Sequence, residues 1–473
     1  MKKIILANSV ALAILGLSGC ALGPDYVRPS VVTELPTSFK EQWSTAQPQD
    51  QRIPAAWWTL FNDSNLTALI EQIDTANLTL AQAQASYRQA SALLDNAQAA
   101  YFPTVNANAA HSKQRAPSQG ITTSNSVGIT AAWEVDLWGG IRRTVEQQQN
   151  AAMSSYANVQ AVRLSLQAQL AQSYFQLRVL DAQQELLNRT VQEYQRSLTL
   201  TQNQYTSGIV ANDSVLLAQT QLQSTQAQAL DVGILRAQLE HAIAILIGKA
   251  PASFSIAVIP SSTTSSASYV PAIPEIPLGL PSQLLERRAD IASAERSVAA
   301  ANAQIGVTKA AYFPNLTLGA TGGYQNSAIA NLISLPNRVW SVGPSLAGTL
   351  FDGGAKRALN AQAIAAYDGS VAAYRLAVLT GFQNVEDNLV ALRILKDEAQ
   401  VQNAATESAR KALAVTMNQY KAGTVTYLNV VTAQTTALSN ERAELTITNS
   451  QLTAVVSLIK ALGGGWNGLK QDK

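Results

Sequence analysis

The chain has 473 residues, enough for two or three ordinary domains, but its eight Phe and three Met exclude a thick aromatic core and suit something long and thin. A net charge of +2 with 14% charged residues excludes both the basic excess of a nucleic-acid binder and the acidic excess of a disordered tail, so no nucleic-acid partner is expected.

Lys2 and Lys3 precede an apolar run from Ile4 to Leu17 that is too short to span a bilayer comfortably, so residues 1–19 read as a signal peptide. The run ends in Leu17-Ser18-Gly19-Cys20, and Cys20 is the only cysteine, which rules out an intramolecular disulfide. This pattern resembles a bacterial lipobox. It implies cleavage before Cys20, a diacylglycerol on its sulfur and an acyl chain such as palmitate on its new amine, with Ala21 favouring sorting to the outer membrane. The alternative is an ordinary secretory signal followed by a stray thiol. Apart from that lipid, no cofactor is expected. Residues 20–61 read as the anchor and an extended segment leading to the first helix. After Phe61 no run of about 20 apolar residues appears, so any membrane crossing must be made by strands.

The first repeat, residues 62–250, is read as helix, β-hairpin, long helix, turn, helix. Asn65 to Ala100, Ile141 to Gln204 and Val215 to Ile247 contain no proline and are rich in Ala, Gln, Leu and Asn, which favours helix. In the long helix the apolar positions Leu164, Leu166, Leu170, Phe175, Leu177, Leu180, Leu186 and Leu187 recur about every three to four residues, as between helices laid side by side in a coiled coil. The hairpin falls at about 103–138, where Val127, Ile129, Ala131, Trp133, Val135 and Leu137 alternate with small or polar residues; that dyad period suits a transmembrane β-barrel. A soluble two-layer sheet is the alternative on pattern alone.

Residues 251–281 form a Pro/Ser-rich linker with prolines at 260, 271, 274 and 277. The second repeat, 282–466, follows the same order, with helices over Ser282 to Ala311, Ala355 to Gln419 and Leu428 to Leu462 and a hairpin at about 314–351; 467–473 is a tail. Here Leu316, Leu318 and Ala320 alternate with Thr317, Gly319 and Thr321, and Trp340, Val342, Leu346 and Leu350 with Ser341, Gly343, Ser345 and Thr349; Pro344 is a blemish in the last strand. The duplication shows in Tyr101-Phe102-Pro103 against Tyr312-Phe313-Pro314 (312 − 101 = 211) and in Tyr205-Thr206-Ser207-Gly208 against Tyr420-Lys421-Ala422-Gly423 (420 − 205 = 215).

Tyr101, Phe102, Trp138, Tyr312, Phe313 and Phe351 stand where strands meet helices and suggest an aromatic girdle, the alternative being local packing. The pairs Gly139-Gly140 and Gly353-Gly354 mark strand-to-helix turns. Four strands cannot close a membrane barrel, and an open edge in hydrocarbon leaves amides without partners, so the chain must oligomerise. Three copies would supply twelve strands (3 × 4 = 12), within the known range, although closure alone does not fix the number.

Leu284-Leu285-Glu286-Arg287-Arg288-Ala289-Asp290-Ile291, Ala300-Ala301-Asn302-Ala303-Gln304-Ile305-Gly306, Gly23-Pro24-Asp25-Tyr26, Trp57-Trp58, Leu350-Phe351-Asp352-Gly353-Gly354 and Ala461-Leu462-Gly463-Gly464-Gly465-Trp466 together resemble the signature of TolC-like outer-membrane efflux factors, in the NodT lipoprotein subgroup. The resemblance spans essentially the whole mature chain, with Ala289 standing where the family commonly has proline. It implies an α+β membrane protein: a homotrimer with a 12-stranded barrel in the outer membrane and a periplasmic α-barrel. Its partners would be a periplasmic adaptor and an inner-membrane pump of the RND type.

His111 and His241 lie far apart, and neither a catalytic triad nor a metal cluster can be drawn, so no enzyme activity is expected. Gly208 and Gly423 mark the hairpin tips, which the family resemblance makes the closed periplasmic mouth. Channel-facing aspartates of the family match Thr432 and, in some members, Asn429, and neither is a carboxylate here. The gate then closes by packing and hydrogen bonds, with Asp213 as a substitute charge or, alternatively, a helix cap with Asn212. Passive small-molecule efflux is the favoured function; protein or peptide secretion and a structural coiled-coil lipoprotein are the alternatives.

Overall fold

The structure is a computed structural model, and it describes residues 22–30, 54–117, 120–259, 274, 287–466 and 468. Cys20, the signal peptide and most of the 251–281 linker lie outside the described residues. In chain order the elements are α1 (Ser64–Ala76), α2 (Leu78–Ala99), β1 (Thr104–Ala116), β2 (Gly120–Val135), α3 (Gly140–Thr206), α4 (Asn212–Leu246), α5 (Ala289–Ala310), β3 (Asn315–Asn326), β4 (Arg338–Ala347), α6 (Ala355–Lys421) and α7 (Tyr427–Ala461).

The fold is α+β with a tandem duplicated unit, and the two copies match in length: α3 and α6 have 67 residues each, α4 and α7 have 35 each. At 1.5 Å per residue the longer pair extends about 100 Å. No described helix is long and apolar enough to cross a membrane.

Two expectations need correction. The first helix is not continuous from Asn65 to Ala100: it breaks at Asn77, whose backbone is extended. The Asn77 amide accepts from the Leu80 N–H (2.8 Å) and donates to the Leu246 carbonyl (2.7 Å) at the end of α4. A side chain that caps two helix ends at once stabilises a break that propensity alone does not reveal. The second copy keeps one half of the device with another residue, since Arg288 donates to the Ala461 carbonyl (3.0 Å) at the end of α7. The offsets, 288 − 77 = 211 and 461 − 246 = 215, are those of the duplication. Second, β4 ends at Ala347 and does not run on to Leu350.

Contacts divide the chain into two compact units that cut across the repeats. One comprises the described part of Met1–Thr33 with Gln84–Ala157 and Ile291–Ala377; the other comprises the described parts of Glu34–Ala83 and Asn158–Asp290, with Val378–Lys473. The first holds a four-stranded antiparallel sheet in the order β1-β2-β3-β4. Pro344 sits in β4, an outer strand of that sheet, where a missing donor is tolerated. In the second, Trp57, Trp58 and Phe61 are buried, Phe61 lies 4.6 Å from Phe175 between ring centroids, and the α1 cap Asp63 also accepts from the Tyr174 hydroxyl (2.8 Å).

The linker leaves that unit under a clamp. Arg178 donates to the Ala257 carbonyl and Arg236 to the Ile256 carbonyl, while the Ile256 N–H donates to Glu240 (2.9, 2.7 and 2.6 Å). Asp181 receives both guanidiniums. Burial would raise the Glu240 carboxyl, but the Ile256 N–H and the Arg236 guanidinium outweigh it and hold the carboxyl below its usual value.

Candidate functional site

Strand register decides whether the alternations found in sequence belong to one surface. Val105 pairs with Ala131, which pairs with Ala320, which pairs with Val342; Trp133 pairs with Leu318, and Leu318 with Pro344; Val135 pairs with Leu316, and Leu316 with Leu346. Cross-strand partners share a face. All four apolar sets therefore lie on one side, and Thr130, Thr321, Ser341, Ser126 and Gln325 on the other, where Thr321 and Ser341 hydroxyls are 2.7 Å apart. From Val135 to Val127 the apolar rows run eight residues, which at a tilt of about 40° is roughly 21 Å of height, close to the apolar band of a barrel.

The junction aromatics divide. Trp138 stacks on Phe313 (4.7 Å between centroids) and donates its indole N–H to the Pro314 carbonyl (2.8 Å). Trp133, read only as a strand residue, donates to the Tyr101 carbonyl (3.0 Å). Tyr101, Phe102 and Tyr312 are exposed, and Phe351 is 89% exposed. Gly139, Gly353 and Gly354 have positive φ whereas Gly140 does not, and the helices that follow are capped by Asp136 and Asp352. Asp136 accepts from the Ile141 and Arg142 N–H groups (3.0 and 2.9 Å), Asp352 from those of Gly354 and Lys356 (2.8 and 3.0 Å). An aspartate before each Gly-Gly was visible in the sequence; its capping role was missed.

The N-terminal segment is stitched to the same unit. Leu22 N–H donates to the Trp138 carbonyl (3.2 Å), Arg143 donates to the Leu22 carbonyl, Asp25 and Glu146, and the Tyr26 hydroxyl donates to Glu295 (3.0 Å). Burial and the Glu295 carboxylate push the Tyr26 hydroxyl far up, so it stays a donor.

Both tips end in the same turn. The Ile209 N–H reaches the Gln204 carbonyl and the Thr424 N–H the Gln419 carbonyl, with Gly208 and Gly423 at φ 74° and 75°. Just inside them Tyr194, Leu198, Ala218, Leu222, Tyr420, Tyr427 and Val430 form one buried cluster. Tyr427 and Ser197 hydroxyls lie 3.1 Å apart, as do those of Tyr420 and Thr201, tying the first hairpin to the second. Burial raises both tyrosines and pushes Tyr194 up to about 12. Duplication did not preserve the environment: Tyr420 is 2% exposed, its counterpart Tyr205 46%.

Asn429 and Thr432 are exposed on α7 while Tyr427, Val430 and Gln434 are buried, and the Thr432 hydroxyl donates back to the Leu428 carbonyl (3.0 Å). Asp213 is not the helix cap: the capping position is Ala211, and the Asp213 carboxylate accepts from the next N–H, that of Ser214 (2.6 Å), within the first turn. His111 Nδ1 lies 2.6 Å from the Asn125 amide oxygen, and His241 is exposed on α4.

A sheet with one apolar and one polar face, bearing helices of this length, defines a protomer of an outer-membrane channel. The chain belongs to the outer membrane efflux protein family, whose pattern matches residues 69–249 and 280–464. It is 30% identical over 485 residues to the probable efflux pump outer membrane protein TtgC of Pseudomonas putida, covering 98% of this chain and 96% of that one. To the cation efflux system protein CusC of Escherichia coli it is 27% identical, covering 98% of each. Among solved structures, the outer-membrane channel OprN superposes with a TM-score of 0.87 at 29% identity, over 95% of this chain and all of that one.

Proposed function

We propose that the protein is the passive outer-membrane conduit of a tripartite efflux system, carrying small molecules delivered through a periplasmic adaptor from an inner-membrane pump of the RND type. The observation that carries this reading is the register: four strands turn one continuous apolar face outward, while β1 and β4 remain sheet edges. In lipid those edges must be paired, and three copies joined β4 to β1 make a closed 12-stranded barrel (3 × 4 = 12). The homotrimer rests on that closure. Its polar inner face offers little to discriminate cargo, so selection falls to the pump, and no catalytic step is assigned.

The gate is placed at the tips, with Gly208 and Gly423 as its turns, Asn429 and Thr432 toward the channel and Asp213 as the nearest charge. A groove of about 1100 Å³ above the tips, lined by Glu185, Arg189, Glu193, Arg410, Glu441 and Glu444, is offered to the adaptor. Lipidation of Cys20 fits the placement of the segment that follows it. Leu22 is bonded at Trp138, and two residues of chain reach about 7 Å, so acyl chains on Cys20 would enter the bilayer at the level of the junction aromatics.

In-cell cross-linking followed by mass spectrometry of the purified complex tests the assignment. Recovery of an adaptor and a proton-driven pump is expected. An ATP-driven peptide exporter would move the function to secretion, and absence of partners together with no bilayer conductance would leave only an envelope-structural role.

A further inference from the structure

The outer end of the sheet's apolar face carries positive charge, and no acidic residue of the strands or their loops lies at that end. Ala109, Val127, Tyr324 and Arg338 form one cross-strand row. The next outward-facing row is His111, Asn125 and Asn326, joined by the His111–Asn125 contact and by the Asn125 amide donating to the Asn326 and Ser327 carbonyls (3.2 and 3.0 Å). Beyond it on the same side come Lys113, opposite Thr123, and Arg115, opposite Ile121.

Lys113, Arg115 and Arg338 are exposed, and their side chains make no hydrogen bond or ion pair among the described residues. The only acidic residue in the four strands is Glu134, which pairs with Thr317 on the polar face near the other end. The intervening loops, 117–119 and 327–337, contain no Asp or Glu.

We propose that this rim binds the phosphate groups of the glycolipid that forms the outer leaflet of the outer membrane. The inference rests on the channel reading, because it takes the apolar face to be the lipid face. Cations on that face are costly at mid-bilayer and nearly free at the interface, and here they begin where the apolar rows end. Tyr324 stands in the same row as Arg338, and Trp340, 69% exposed, in the outward-facing row below it, marking the same boundary. Guanidinium and ammonium groups without protein partners at headgroup depth match an anionic headgroup, and guanidinium matches phosphate in two-point geometry. Closure of the barrel adds a second element: β4 of one copy meets β1 of the next, bringing Arg338 alongside the Lys113 and Arg115 end of its neighbour. The site is then assembled once per subunit interface.

The purified channel, freed of native lipid, is titrated with lipid A carrying both phosphates and with enzymatically dephosphorylated lipid A, and bound lipid is counted by native mass spectrometry. Retention of the phosphorylated form is expected, weaker by about tenfold or more for the dephosphorylated form and for the triple variant K113Q/R115Q/R338Q, since each charge-assisted contact contributes on the order of a tenfold factor. Equal binding of the two lipids by the unaltered protein overturns the site, and so does a triple variant that binds like the parent. Should the variant fail to assemble, the comparison of the two lipids on the unaltered protein decides. Single-channel conductance of the same preparation separates the two levels: a conducting protein indifferent to the phosphates loses only this site, whereas one that neither inserts nor conducts loses the channel reading with it.

Discussion

Four glycines share one turn geometry but not one environment, which makes an internally controlled experiment. Gly208, Gly423, Gly248 and Gly463 all have positive φ, between 69° and 93°, and each follows a helix whose last carbonyls are closed by the same bonding pattern. A methyl added at Gly208 or Gly423 meets nothing within 4 Å. Alanine there costs only the left-handed backbone, about 1 kcal/mol. At Gly248 the same methyl is driven onto the Ala76 carbonyl, and at Gly463 onto that of Arg287. Both obstacles are backbone, and both belong to the residue just before the side-chain bridge that caps α4 or α7. Relief requires the chain to shift, adding overpacking of about 1–3 kcal/mol and the loss of a hydrogen bond of about 1 kcal/mol. Gly248→Ala should therefore cost about 3–5 kcal/mol against about 1 for Gly208→Ala. Half-lives of the purified proteins at one elevated temperature, followed by far-UV circular dichroism, read the difference: up to about fivefold shortening for the tip variants and far more for the other pair. If Gly248→Ala and Gly208→Ala decay alike, the close approach described for Gly248 is not there.

At the tip, Tyr427→Phe and Tyr420→Phe should each lose about 1 kcal/mol, and a double-mutant cycle of Tyr427→Phe with Ser197→Ala should return a coupling of similar size; a coupling near zero removes the tie between hairpins. Glu240 gives a pH dependence of definite sign. Its carboxyl is held below the ordinary 4.5, so its contribution is complete above that pH and is lost as the pH falls through the lowered value. The thermal stability gap between the parent and Glu240→Gln should be constant from pH 7 to about 5 and narrow progressively as the pH falls below the ordinary 4.5; a gap that widens on acidification contradicts this. Thr432→Asp should raise cation selectivity and introduce block by multivalent cations in bilayer recordings, and unchanged currents would remove Thr432 from the pore.

Much of the architecture could be read from punctuation. Helix limits fell within a few residues of the proline-free stretches, because Gly208, Gly423 and the Gly-Gly pairs are where the backbone must turn, except that α5 begins at Ala289 and not at Ser282. The strands were legible because a period of two survives wherever one face meets an apolar medium. What escaped detection needed partners from far along the chain. Asn77 breaks a helix only because Leu246 is there to receive its amide. The buried Tyr420 looks like its exposed twin Tyr205 until α3 and α7 are placed around it. The cations at the sheet's rim are scattered in sequence and gather on one side only through the register. Asp213 went astray for a local reason, since an acidic residue near a helix start fits both the cap and the first turn.

The matched helix lengths carry a consequence for descent. Strands stand 211 residues apart between copies (315 − 104 = 211), the Gly-Gly turns 214 (353 − 139 = 214) and the tips 215 (423 − 208 = 215), so most of the length change lies in the hairpins while the rods keep equal length. Side chains meanwhile drifted far enough that few positions still agree. One inserted residue would lengthen a rod by about 1.5 Å and rotate everything beyond it by about 100°, re-aiming each seam residue at the wrong neighbour. Residue number, more than residue identity, has been the inherited quantity. A designer wishing to lengthen this protein would have to do so in both copies at once, in steps of about seven that return the seam to its own face.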